Sequence, residues 1–186
     1  SDGRWRHLGR TLGTGWWSPW ERRMYQFSSL LFDPLEEGTV YYGHFPGGFF
    51  VSRDGGHTWR DSSVGLGNDG MFSLAQHPVD PAVLFAGTYN GISKSSDGGA
   101  TWSDSSEGMP PEQWPYAVVI DASDPEVMYT STKNGQNKGF CHRNSFCGVV
   151  MKSTDGGETW TRIMSGLDPM SEFYTLLIHP ANHDTL

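Results

Sequence analysis

The sequence predicts an all-β protein, a β-propeller of four-stranded antiparallel blades, and three observations predict it. The string S-x-D-G-G-x-T-W occurs three times, at 52–59, 95–102 and 153–160. Three apolar stretches of strand length precede each copy and one short stretch follows it, so each unit holds four strands. The composition combines 24 Gly, 11 Pro and 13% aromatic residues with only 18% charged ones, which is typical of a turn-rich β protein.

The spacing of the repeats indicates blades. Asp54 and Asp97 lie 43 residues apart, and Asp97 and Asp155 lie 58 apart. Units of about 40 to 50 residues with four strands match the period of propeller blades. The third unit is longer because it carries an insertion, which we place at 133–148. The repeats therefore predict blades at 26–63, 72–106 and 116–164.

Both flanks of these blades resemble parts of further blades. Residues 1–10 read as the outer strand of a preceding blade, and residues 173–186 as the first strand of a following one. Three full blades plus two partial ones form an incomplete ring within one propeller domain. An open ring exposes apolar faces and unpaired strand edges. We therefore expect missing blades of the same chain, or another protein chain, to complete it.

Charge and hydropathy exclude two classes of partner. The net charge of −8 repels a phosphate backbone, so nucleic acid is not expected to bind. No apolar run approaches the roughly 18 residues that span a bilayer, so no transmembrane segment is predicted. Neither a cofactor nor a metal is expected, because each repeat supplies one carboxylate where calcium takes several oxygens.

The string S-x-D-G-G-x-T-W resembles the Asp box, also called the BNR repeat. Such boxes occur in sialidase-type propellers, in xyloglucan-specific hydrolases, in sortilin-type receptors and in a photosystem II assembly factor. The resemblance implies the propeller fold and leaves enzyme and binding functions both open. The R-I-P signature that precedes the first box of sialidases is absent here, and no stretch matches the motifs around the acidic residues of the xyloglucan hydrolases.

The chemistry of the box favours a structural role over catalysis or metal binding. An aspartate can accept hydrogen bonds from backbone N–H groups across the turn, and paired glycines allow positive φ. The tryptophan is then expected to pack onto the blade. The residues assigned this role are Asp54, Gly55, Gly56, Trp59, Asp97, Gly98, Gly99, Trp102, Asp155, Gly156, Gly157 and Trp160.

The order of strands defines two faces of the molecule. Turns between strands one and two and between strands three and four share one face, which carries the boxes and is called the box face. Loops between strands two and three, and connections between blades, share the opposite face, called the loop face. Ligand-binding residues are expected on the loop face.

Candidate binding residues follow from this division. Four tryptophans outside the boxes lie in predicted blade-to-blade connections, where they suit stacking on a sugar ring or a protein side chain. The alternative is that they fill gaps between blades. Residues of the loops between strands two and three, and a basic residue of the insertion, complete the set: Trp16, Trp17, Trp20, His44, Phe45, Tyr89, Asn90, Trp114 and Arg143.

Two further patterns have structural interpretations. Asp33, His77, Asp121 and His179 occupy equivalent repeat positions after the first strand of a unit, where they are expected to hydrogen-bond turns. Cys141 and Cys147 are six residues apart in the insertion and predict a local disulfide. A zinc site would need two more ligands, of which His142 supplies one. A disulfide would indicate an oxidising compartment, so we predict an extracellular or periplasmic location.

The sequence thus favours a non-catalytic, extracytoplasmic binding or scaffold propeller that uses its loop face. The alternative is a glycoside hydrolase resembling the xyloglucan-specific propeller enzymes. That chemistry requires two acidic residues in a cleft. The predicted partner is a protein chain, and a polysaccharide is the second candidate.

Overall fold

The computed structural model describes residues 28–44, 48–66, 70–135, 147–179, 182 and 185–186. Within these ranges the chain forms twelve strands, arranged as three four-stranded antiparallel sheets. Each sheet is a meander in which consecutive strands pair. The described residues include no helix able to cross a membrane. The predicted fold class, an all-β incomplete propeller, is confirmed.

Each sheet begins with a strand of five to eight residues and ends with one of two residues. The first sheet contains β1 (Ser28–Phe32), β2 (Val40–His44), β3 (Gly48–Ser52) and β4 (Arg60–Asp61). The second contains β5 (Met71–Gln76), β6 (Leu84–Thr88), β7 (Gly91–Ser95) and β8 (Ser103–Asp104). The third contains β9 (Gln113–Ile120), β10 (Met128–Asn134), β11 (Val150–Ser153) and β12 (Thr161–Arg162).

The sheets pack face to face through two apolar clusters. Because successive side chains of a strand point to opposite faces, a strand in the middle sheet contributes to both clusters. In β6, Leu84 and Ala86 pack with the first sheet and Phe85 packs with the third. All five residues of β6 are buried. The first strands β1, β5 and β9 lie side by side, with β5 contacting both of the others.

Trp59 packs onto its own blade as expected, with its ring 6.0 Å from that of Tyr42, whereas Trp102 and Trp160 contact the preceding blade, which corrects the expectation for these two. The indole N–H of Trp102 donates to the Ser62 carbonyl at 3.1 Å, and that of Trp160 donates to the Ser105 carbonyl at 2.8 Å. Both side chains are buried. The reason is that each of these boxes lies against the turn that follows the outer strand of the preceding blade, since the backbone N–H of Trp102 donates to the Val64 carbonyl and that of Trp160 to the Glu107 carbonyl.

The third sheet differs from the prediction at its first strand. β9 begins at Gln113, three residues before the predicted start at 116, so Trp114 lies in a strand and not in a blade-to-blade connection. The insertion falls between Asn134 and Val150, and its residues 136–146 lie outside the described part.

The two flanking segments stay predictions. Residues 1–10 lie outside the described part of the chain. The described residues of 173–186 form no strand, and the Phe173 N–H donates to the Thr132 carbonyl of β10 at 3.2 Å.

Candidate binding site on the loop face

The box carboxylates are fully engaged within their own turns. Asp97 accepts hydrogen bonds from the Thr101 backbone N–H at 2.8 Å, the Thr101 hydroxyl at 2.6 Å and the Ser95 hydroxyl at 2.8 Å. These bonds, the Thr101 hydroxyl above all, lower the pKa of Asp97 to about 2. Asp54 and Asp155 make the same contacts with their own threonines and serines. The following glycines have positive φ, as such a turn requires.

Three of the four polar residues expected to stabilise turns after a first strand do so, and for His179 this stays a prediction. Asp33 Oδ1 accepts the backbone N–H groups of Leu35 and Glu36. His77 Nδ1 accepts those of Val79 and Asp80, and Asp121 Oδ1 that of Ser123.

Two β-bulges distinguish the loop-face ends of the second and third sheets. In β5 the pairing with β6 skips Phe72, since Met71 pairs with Thr88 and Ser73 with Gly87. In β9 the pairing with β10 skips Tyr116 in the same way. A bulge shifts the register of a strand pair and re-aims the side chain of the extra residue. The bulges lie on adjacent first strands, and the rings of Phe72 and Tyr116 stack with their centroids 4.9 Å apart.

Three more aromatic rings surround this pair. Trp114 stacks on Phe72 at 5.6 Å, and Tyr89 meets Trp114 edge to face at 4.3 Å. Tyr174 meets Tyr116 edge to face at 5.0 Å. Offset stacked and edge-to-face contacts at these distances are the favourable arrangements of aromatic rings. We call the five residues the aromatic site: Phe72, Tyr89, Trp114, Tyr116 and Tyr174.

Polar groups border the aromatic site at Tyr174. The Lys133 ammonium lies 3.4 Å from the Glu172 carboxylate and donates to the Tyr174 hydroxyl at 3.3 Å. The Tyr174 hydroxyl in turn donates to Glu172. Burial alone would lower the pKa of Lys133, but the bond to Tyr174 and the charge of Glu172 raise it. Lys133 therefore stays protonated and presents a positive charge beside the rings.

The aromatic site is firmly packed at its base and open at its rim. Phe72 is 7% exposed and Tyr174 is 50% exposed, with Tyr89, Trp114 and Tyr116 half-buried. The Trp114 indole lies so close to Gly135 that a Cβ at that position would overlap it. Burial also raises the pKa of Tyr116, so its hydroxyl stays neutral at physiological pH.

The predicted binding residues divide into three groups. Tyr89 and Trp114 come together in the aromatic site, and exposed Asn90 lies at the same turn as Tyr89. His44 lies on the first sheet, with its ring 5.8 Å from that of Tyr42. The others fall outside the described residues and stay predictions: Trp16, Trp17, Trp20, Phe45 and Arg143. Cys147 is buried, but Cys141 is also outside the described part, so the disulfide stays a prediction.

The sequence analysis missed Phe72, Tyr116, Glu172 and Tyr174. One local signal was available, because Trp114 and Tyr116 are two residues apart, as residues on one face of a strand are. The bulge at Phe72 depends on how β5 pairs with β6, and the approach of Tyr174 depends on its contact with Tyr116, which is distant in the sequence. No local sequence pattern indicates either feature.

The carboxyl groups with shifted pKa values are the ones that stabilise turns. Among the described residues, every carboxyl group with a shifted pKa has a lowered pKa, because hydrogen bonds stabilise its charged form. The acid of a glycosidase needs a raised pKa. The described residues also contain no group of three His, Cys, Asp or Glu side chains placed to hold a metal.

Three four-stranded sheets joined through Asp boxes define the class of protein, an Asp-box β-propeller. A comparison with protein families narrows this class. The profile described as "Sortilin, neurotensin receptor 3" of the Sortilin-Vps10 family matches residues 47–184. The chain belongs to the Sortilin-Vps10 family. No curated protein sequence matches it.

Solved structures with the same fold include glycoside hydrolases. An ancestral GH74 enzyme is 17% identical with a TM-score of 0.64, and the match covers 77% of this chain and 19% of the enzyme. This chain therefore spans about a fifth of that enzyme's length. The GH74 enzyme of Niastella koreensis is 19% identical over 72% of this chain and 28% of its own, with a TM-score of 0.49. YCF48 bound to a D1 peptide is 14% identical over 74% and 44%, with a TM-score of 0.46.

Proposed function

We propose that this chain is part of a non-catalytic binding propeller that engages a polypeptide ligand through the aromatic site. The observation that carries the proposal is the pair of bulges at equivalent places in β5 and β9. Each bulge shifts the register of its strand pair and brings one ring, Phe72 or Tyr116, to the loop-face end of its strand. Bulges are over-represented beside functional sites because they re-aim side chains.

The composition of the aromatic site supports a protein ligand. Buried aromatic anchors with a polar rim are the features that dominate protein–protein binding energy. Tyr89, Trp114 and Tyr174 present apolar surface, while Lys133 and Glu172 supply one charge of each sign at the edge. A polypeptide offers both kinds of group, with apolar side chains for the rings and polar backbone or charged groups for the rim.

The family supports binding over catalysis. Its profile description names a receptor. In keeping with that class, we propose an extracytoplasmic location in which Cys141 and Cys147 form the predicted disulfide.

The two alternatives are a glycosidase and a propeller that binds a polysaccharide. The likeness to the GH74 enzyme is one of fold, and the carboxyl groups whose pKa is lowered, such as Asp33 and Asp97, are engaged in turns and do not suit the part of a glycosidase acid. A polysaccharide binds best to open ring faces. Here the edge-to-face contacts of Tyr89 with Trp114 and of Tyr116 with Tyr174 leave fewer ring faces open to a sugar.

The experiment that tests the proposal uses a phage-displayed library of random 12-residue peptides as the probe. Peptides enriched on the chain are synthesised, and their affinity is measured by calorimetry for the wild type and for Tyr174→Ala. Because Tyr174 is half-exposed, its truncation should leave the fold intact. We expect affinity to fall about tenfold or more, as for an interface anchor.

Leu35→Ala is the matched control, since Leu35 is 53% exposed and lies in a turn on the box face. It should leave peptide affinity unchanged. Xyloglucan oligosaccharides are assayed in parallel for binding and cleavage. Failure to enrich any peptide, equal losses in both variants, or cleavage of the oligosaccharide would each overturn the proposal.

A further inference from the structure

Trp114 differs from the other tryptophans of the described chain in the hydrogen bonding of its indole N–H. The indoles of Trp59, Trp102 and Trp160 each donate to a backbone carbonyl group, at 3.0, 3.1 and 2.8 Å. The indole N–H of Trp114 has no acceptor among the described residues, and its nitrogen is not one of their fully buried unpaired atoms. Buried tryptophans usually find a partner for this donor. The Trp114 N–H is therefore available at the surface of the aromatic site.

Packing on three sides fixes the direction of this donor. The Trp114 ring stacks on Phe72 with 20° between the ring planes, and the Tyr89 ring meets it at 87°. Gly135 lies against the indole, where a Cβ would overlap the ring nitrogen, and the Gly135 N–H donates to the Glu112 carbonyl at 2.8 Å. A donor that is already held in one orientation loses little conformational freedom when it binds an acceptor.

The polar groups around the aromatic site are mainly donors. Trp114 supplies its indole N–H and Lys133 its ammonium group. The Tyr116 hydroxyl keeps its proton, because burial above all raises its pKa. The Glu172 carboxylate is an acceptor, but it already pairs with Lys133 and accepts from the Tyr174 hydroxyl. A ligand that suits this set brings acceptors, and every polypeptide carries them as backbone carbonyl groups.

A proline-rich segment is the kind of polypeptide that matches these properties best. In the polyproline II conformation the backbone makes no internal hydrogen bonds, so each carbonyl group is free to accept one. Proline has no backbone N–H, so such a segment asks for no acceptor from the site. Segments of this kind dock in aromatic-lined grooves, and their conformation is ordered before binding, which lowers the entropic cost.

We propose that the aromatic site selects a proline-rich segment of a partner protein in the polyproline II conformation. The Trp114 indole N–H donates to one backbone carbonyl group of that segment, and proline rings pack against the neighbouring rings of Tyr89 and Tyr116. Trp114 is then the residue that determines specificity. Because the aromatic site must bind a polypeptide for this to hold, the selectivity rests on the proposed function.

Decaproline capped at both ends is the probe, because it forms a polyproline II helix and its backbone has no N–H groups. It is titrated into the isotope-labelled chain, and the indole N–H signals are followed by NMR. The Trp114 signal, assigned through its connection to the backbone, should move downfield as the bond forms. The signals of Trp59, Trp102 and Trp160 should stay in place, because those donors are already bonded within the fold.

Trp114→Phe and Trp59→Phe form a matched pair of variants. Both keep an aromatic ring and lose an indole donor, but only Trp114 lies in the aromatic site. The affinity of Trp114→Phe for decaproline should fall about threefold to tenfold, as for the loss of one hydrogen bond. Trp59→Phe should bind like the wild type. A flexible Gly-Ser peptide of equal length should not bind to any of the three proteins.

The outcomes separate this selectivity from the proposed function. If library peptides bind but decaproline does not, or if decaproline binds without moving the Trp114 signal, the selectivity is overturned and the proposed function stands. Equal losses of affinity in Trp114→Phe and Trp59→Phe would also overturn the selectivity alone. If neither decaproline nor any library peptide binds, the proposed function fails together with it.

Discussion

At each Asp box one aspartate side chain organises the turn between the third and fourth strands. Asp97 receives bonds from the backbone and hydroxyl of Thr101 and from the hydroxyl of Ser95. All of these donors favour the charged carboxylate, which is why its pKa is low. At the residue scale, the charged form of the aspartate and the hydrogen-bonded form of the turn therefore stabilise each other.

A pH dependence follows from the lowered pKa of Asp97. A carboxyl group whose pKa is lower in the folded than in the unfolded chain contributes stability above its unfolded value, about 3.9, and that contribution is lost as the pH falls towards the folded value. The folded value for Asp97 is about 2. We therefore expect the free energy of unfolding of the wild type, measured by urea titration, to fall between about pH 4 and pH 2.

Asp97→Asn isolates the contribution of this one group. The asparagine keeps an oxygen acceptor for the turn but does not titrate. The variant should be less stable than wild type at neutral pH, and its free energy of unfolding should fall less steeply between about pH 4 and pH 2. Parallel curves for the two proteins would show that Asp97 does not contribute.

At the scale of elements, the outer strands are too short to hold a blade in place by themselves. β4, β8 and β12 are each two residues long. Trp102 and Trp160, which precede β8 and β12, add a further contact by reaching the preceding blade. The same box motif therefore stabilises a turn through its aspartate and a blade junction through its tryptophan.

The difference between Trp59 and Trp102 allows a test of the junction. Trp102→Phe keeps the contact with Phe49 but removes the donor to the buried Ser62 carbonyl. Leaving a buried acceptor without its bond costs about 1–3 kcal/mol. We expect the free energy of unfolding, measured by chemical denaturation, to fall by that amount.

Trp59→Phe is the matched control. Trp59 is half-buried and donates within its own box. Its replacement should cost less than that of Trp102. Equal costs would mean that the bond between blades adds no stability.

At the scale of the whole molecule, two separate apolar clusters join the sheets in the described part of the chain. One joins the first and second sheets and includes Val51, and the other joins the second and third sheets and includes Met151. In repeat architectures each unit is stabilised mainly by its neighbours. Damage to one cluster should therefore spread to the two sheets it joins and not beyond.

Met151→Ala tests this division. Met151 is fully buried in the second cluster, and its truncation should cost about 2–5 kcal/mol. Native-state hydrogen exchange should quicken in the second and third sheets and stay unchanged in β1 and β2. Val51→Ala, in the first cluster, should give the converse pattern. Uniform quickening in both variants would indicate a single cooperative unit.

Only part of the aromatic site could be predicted from the sequence. Tyr89 and Trp114 were predicted binding residues because aromatic groups on the loop face stand out in the sequence, and the structure brings them into contact. Phe72 and Tyr116 meet only because a bulge re-aims each ring on adjacent strands. A bulge depends on the pairing of two strands, and a single strand's sequence does not specify its partner's register.

By itself the sequence determined the blades, their strand order and the box turns. It could do so because the motif recurs, and because turn chemistry and strand alternation act between residues close in the chain. Only the tertiary structure decided which blade each box tryptophan contacts and where the bulges lie. Those features depend on pairing and packing between different strands and blades, as in the bond from Trp102 to Ser62, which joins residues 40 positions apart.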